Sequence, residues 1–107
     1  MDAATPVIGT DNGREFTRAI LNDEAQMDVA LAEADILDAG RELIAKYPDV
    51  GAVLLECTNM CPYAAALARE IAKPVFDIYS FVSWFHSGLR PRDFGHPASA
   101  ARVWRER

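Results

Sequence analysis

The stretch Val53-Leu54-Leu55-Glu56-Cys57-Thr58-Asn59-Met60-Cys61-Pro62-Tyr63 constrains this chain more than any other. An unbroken apolar run ends in a polar turn, and a proline follows where a helix can start. Continuous apolar runs suit strands covered on both faces. Proline at a first helical position loses nothing by lacking its N–H. Beyond it, Ala64, Leu67, Ala68 and Ile71 recur at helical spacing, and after Lys73-Pro74 comes a second apolar run, Val75-Phe76-Asp77-Ile78. Strand, helix and strand over residues 52–78 predict a right-handed parallel crossover.

The flanks are read around that unit. Thr5-Pro6-Val7-Ile8-Gly9 suggests the end of another strand, closed by the turn Asp11-Asn12-Gly13, and a fold that starts almost inside a strand suggests a missing upstream part. A short helix is expected over residues 14–21 and a long one over residues 28–47. In the long helix Val29, Ala32, Ile36, Gly40, Leu43 and Tyr47 form one apolar face. Asp28, Glu33, Asp35, Asp38, Arg41, Glu42 and Lys46 read as its solvated side. Gly40 on the apolar stripe predicts close approach to the sheet. Residues 79–88 suggest a helix apolar on most sides. Three short strands offer it little cover, so part of it is expected to meet another chain or another lobe, with Phe81, Trp84 and Phe85 as the expected contact of a homo-oligomer. The expected class is α/β, a three-layer sandwich with a short parallel sheet flanked by helices. It divides into a lobe over residues 1–88 and a basic, poorly ordered tail over residues 89–107, where residues 98–105 could form a frayed turn or two.

Charge narrows the function. Residues 1–50 carry eleven acidic and four basic side chains, and residues 51–107 carry five and seven. An acidic first half argues against nucleic acid, which needs a basic face. No run approaches the roughly 18 apolar residues of a membrane span, and the N-terminus lacks a secretory pattern, so a cytoplasmic protein is expected. Cys57 and Cys61, four residues apart, suggest reduced thiols rather than a bridge. With only His86 and His96 as further soft ligands, no metal site is expected.

Cys57 is the residue best placed for chemistry, because ligands in open parallel sheets sit beyond the carboxyl ends of strands. A thiolate is the reactive form of cysteine and is favoured near a helix N-terminus. Thr58 and Asn59 add hydrogen-bonding groups that could hold a carboxylate. Glu56 is expected to face away from the thiol by strand alternation. Asp77, at the end of the next strand, can line the same turn or cap the following helix. Against these stand plainer readings: Cys57 as a small buried hydrophobe, Cys61 as a structural N-cap before Pro62, and His86 as a packed histidine.

The segment Leu55-Glu56-Cys57-Thr58-Asn59-Met60 with Pro62-Tyr63, followed by Pro74-Val75-Phe76-Asp77-Ile78, resembles the C-terminal lobe of the aspartate/glutamate racemase superfamily, most closely its hydantoin-racemase-like members. The likeness spans residues 6–88 and is densest over residues 48–86. Glu56 and Asn59 depart from the Gly-Cys-Thr-His turn of glutamate racemases. The resemblance implies a cofactor-independent isomerase in which two lobes each give one thiol to a cleft. Cys57 would be the second-lobe acid/base, with Thr58, Asn59 and Asp77 placing a small carboxylate-bearing substrate. Such proteins run to roughly twice this length, in two lobes of about 100 residues. The expectation is therefore an incomplete member that is not competent alone, or else a non-catalytic carboxylate-binding or oligomerisation module.

Overall fold

A computed structural model describes residues 4–95. The elements run α1 (Phe16–Leu21), α2 (Val29–Lys46), β1 (Val53–Leu54), a 3-10 helix (Thr58–Tyr63), α3 (Ala64–Ile71), β2 (Val75–Phe76) and α4 (Ile78–Leu89). The expected crossover is present: β1 pairs in parallel with β2, Val53 against Val75 and Leu54 against Phe76. The chain is thus a small α/β unit, with helices around a sheet of two strands among the described residues. Residues 96–107, including the expected frayed turn and His96, lie outside those described.

The long helix forms where its periodicity places it. Asp28 caps it by accepting from the Leu31 N–H at 3.0 Å, and the chain turns away at Tyr47, ahead of Pro48. Ala32, Ile36 and Gly40 are buried along one side, against Leu67 of α3 and Val53 and Leu55 of the β1 segment. Phe16 of α1 meets Tyr63 edge-on at 6.2 Å, which closes the core at the carboxyl end of β1. Full burial of side chains of this size contributes about 1.5–3 kcal/mol each. On the surface, Arg41 Nε donates to Glu70 at 2.6 Å and links α2 to α3.

Five expectations are corrected. Residues 5–9 form no strand; they lie unpaired opposite β1. Gly40 makes its close approach to α3 rather than to the sheet, since a Cβ there would run into Leu67 Cδ1. Leu67 is 1% exposed and has little room to yield. Replacing Gly40 by Ala improves helix propensity by about 1 kcal/mol, but overpacking costs about 1–3 kcal/mol. A Gly40→Ala chain is expected to unfold at lower urea concentration than wild type, with an unchanged slope. The helix after Pro62 starts later than expected, at Ala64, because the turn before it closes as a 3-10 helix, seen in Met60 N–H to Cys57 O at 3.0 Å. Cys61 lies inside that turn and is not the cap of α3.

The fifth correction concerns Asp35. Its position between Ala32, Ile36 and the acidic side of α2 suggests a solvated carboxylate, yet it is 2% exposed. It accepts three backbone N–H groups from the start of α1: Arg14 at 2.8 Å, Glu15 at 2.6 Å and Phe16 at 2.8 Å. Those are the donors that a helix N-terminus leaves without intrahelical partners. A side chain from α2 therefore caps α1 across the fold, and Gly13 lies so close that a Cβ would contact the carboxylate.

Candidate functional site

The site is built where β1 gives way to the 3-10 helix. Leu55 N–H still bonds Phe76 O at 2.9 Å, so the ladder reaches one residue past β1 before the chain turns. Cys57 follows in extended conformation, with φ −88° and ψ 131°, as the residue before the 3-10 helix. Its thiol is half-buried and free, as is that of Cys61. Asp77 lies at the matching end of β2, so both residues occupy the carboxyl edge of the sheet, as expected of adjacent strands.

Beside this edge runs a cavity of about 440 Å³. Its floor is α2, at Ile36, Gly40 and Leu43; one wall is the β1 segment through to Cys57 and Met60, and the other is residues 5–11. In a parallel ladder alternate residues bond to alternate sides. Val53 and Leu55 donate to β2, so the peptide groups of Leu54 face away from it along the open edge. The cavity is thus a slot bordered by a free strand edge, mostly apolar in its lining, with Cys57 among the residues that line it.

The candidate residues divide around it. Cys57 lines the slot, whereas Thr58 and Asn59 are exposed on the 3-10 helix and do not line it. Asp77 is 7% exposed and forms a reciprocal cap for α4: its Oδ1 accepts from Ser80 N–H at 2.8 Å, and its own N–H donates to Ser80 Oγ at 3.0 Å. Glu56 is exposed and, with the rest of the segment from Ala52 to Cys57, borders the same cavity. Asp11 and Thr10 border the slot from the opposite wall. No signal in the sequence distinguished Asp11 from any other turn aspartate. Among the described residues no group of three or more His, Cys, Asp or Glu is placed to hold a metal ion. No described helix is long and apolar enough to cross a membrane.

His86, expected to be packed, is exposed, and so are Trp84 and Phe85 at 70% and 56%. The reason is that α4 packs on β2 and the 3-10 helix without burying any of its residues.

No family model matches the chain, and no solved structure does. Two curated relatives do. The chain is 41% identical over 69 residues to dimethylsulfoniopropionate lyase 5 of Emiliania huxleyi (strain CCMP1516), a stretch covering 64% of this chain and 14% of the relative. It is 27% identical over 63 residues to a dimethylsulfoniopropionate lyase of Durusdinium sp. clade D, covering 59% of this chain and 21% of that one. The chain therefore spans a small part of the length of either relative.

These names overturn the racemase expectation. Both relatives are lyases, so neither an isomerase nor an incomplete racemase lobe with Cys57 as one of two thiols describes the chain. A Cys-Thr turn at a strand end places a thiol at a sheet edge without fixing the reaction it serves, which is why the motif misled. The alternative of a non-catalytic module gains nothing from them.

Proposed function

We propose that this chain forms part of a dimethylsulfoniopropionate lyase-like site in which Cys57 moves the proton of an elimination. The observation that carries the reading is the 41% identity to the Emiliania huxleyi lyase over 64% of the chain. The named substrate is a propionate bearing a dimethylsulfonium group on its terminal carbon. Elimination takes a proton from the carbon next to the carboxylate. The C–H electrons form the new C=C bond, and dimethyl sulfide departs with the electrons of the broken C–S bond. Acrylate remains, and the proton resides on the base. A cysteine in its thiolate form can accept that proton.

The slot suits this assignment in shape. Its mostly apolar walls admit the methyl groups of a sulfonium, and Cys57 is among the residues that line it. Thr58 and Asn59, which follow Cys57 in the chain just outside the slot, are the groups proposed to receive a substrate carboxylate that reaches beyond it. Asp77 contributes by fixing the start of α4 at the same edge. A fuller three-layer sandwich, with further strand pairing on the open side of β1, belongs to this reading. The direct test is headspace measurement of dimethyl sulfide after adding dimethylsulfoniopropionate to the chain. Release above the uncatalysed rate is expected, and its absence sinks the proposal.

A further inference from the structure

The residues of α4 divide by face. Ile78, Phe81, Val82, Phe85 and Leu89 recur at three- and four-residue steps and share one side, while Ser80, Ser83 and Ser87 share the other. An amphipathic helix normally turns its apolar stripe toward the core. Here the stripe is left open to solvent: Ile78 is 45% exposed, Phe81 59%, Val82 54%, Phe85 56% and Leu89 67%, with Trp84 beside it at 70%. Phe81 and Trp84 rest against each other, ring centroids 6.2 Å apart, and extend the stripe sideways. Contiguous exposed apolar patches of this kind mark interaction surfaces.

We propose that a second copy of this chain covers the stripe, docking its own α4 antiparallel about a two-fold axis. Three features favour a copy of itself. The stripe is self-complementary: an antiparallel pairing centred between Ser83 and Trp84 sets Ile78 against Leu89 and Val82 against Phe85, as a two-fold contact requires. Residues 78–89 contain no Asp, Glu, Lys or Arg, so two chains of net charge −5 can approach there without placing like charges in contact. The area is also adequate. The three exposed rings alone offer on the order of 350 Å² per copy, approaching half of the ~800 Å² each partner gives to a standard interface. Ile78, Val82 and Leu89 add to it. Because α4 adjoins the 3-10 helix, the contact also braces the turn that follows Cys57.

The test is the mass of the full chain by light scattering across micromolar concentrations. Twice the 11.8 kDa of one chain is expected for wild type, and a single chain mass for a Phe81→Glu, Phe85→Glu variant. Since α4 buries no residue, the far-UV circular dichroism of α1 to α3 should survive the double change. Hydrogen exchange on the unaltered chain gives a second reading: diluting the dimer should speed exchange in α4 and leave α2 unchanged. A wild-type monomer at every concentration, whether or not it adsorbs to lipid vesicles, overturns the proposal. So does a dimer that the double substitution leaves intact, or whose α4 exchange ignores dilution.

Discussion

Replacing Asp35 by Ala is expected to destabilise the chain by about 3 kcal/mol, lowering its melting midpoint by about 15 °C. The carboxylate accepts three N–H groups at 2.6–2.8 Å, and two of those bonds are buried. Alanine removes the acceptor from all three donors and leaves the two buried ones, Glu15 and Phe16, shielded from water. For a domain whose whole stability is of the order of 5–15 kcal/mol, that is a large share. Asn should cost less than Ala. Its amide oxygen can sit where Oδ2 accepts from Glu15 and Phe16, leaving only the Arg14 N–H opposed by the NH₂ group. Acid should act through the same residue. Burial pushes the Asp35 pKa up, but the three N–H bonds and the nearby Arg14 charge together outweigh it, so the group lies below its ordinary 3.8. A carboxylate held lower in the folded state than in the unfolded one stabilises fully above the unfolded value. That contribution is lost as pH falls through the folded value. The difference in unfolding free energy between wild type and Asp35→Asn should therefore be constant near neutrality and shrink below about pH 4. Urea titrations at several pH values measure it, and a difference that ignores pH would refute the cap.

That residue also shows how far the sequence could be read. Period and punctuation were sufficient for the crossover: the apolar runs before Glu56 and after Lys73-Pro74, with Leu67 at helical spacing between them, place β1, α3 and β2 correctly. They also place Cys57 at the sheet edge. What escaped was set by contacts between distant segments. Asp35 looks like surface by composition, because only the fold brings residues 14–16 over it. Gly40 signals a close approach, but its partner Leu67 is chosen by how α2 and α3 cross. Residues 5–9 have the β-branched content of a strand. Pairing, however, needs register against β1, and here a slot separates the two. The reaction was the least legible feature. A thiol beyond a strand end serves proton transfer in any direction, and the lyase relatives, rather than the turn, bear on what leaves.

Replacing Cys57 by Ala should lower dimethyl sulfide release by at least about 100-fold, the lower end of what a positioned acid or base contributes. Cys57→Ser should fall nearly as far, since a hydroxyl is a far weaker proton acceptor than a thiolate at neutral pH. Neither change should unfold the chain, because the side chain is half-buried and its thiol free. Cys61→Ser is the internal control. It alters a half-buried thiol four residues away that does not line the cavity, and it should leave release unchanged. A second proton acceptor shares the slot, however, because Glu56 lines it beside Cys57. Glu56→Gln keeps the size and hydrogen bonding of that side chain while removing its basicity. If Cys57 is the base, Glu56→Gln retains most of the release and the cysteine variants lose it. The opposite pattern, a silent Cys57→Ala and an inactive Glu56→Gln, would move the chemistry one residue along the chain and leave the thiol as part of the cavity wall.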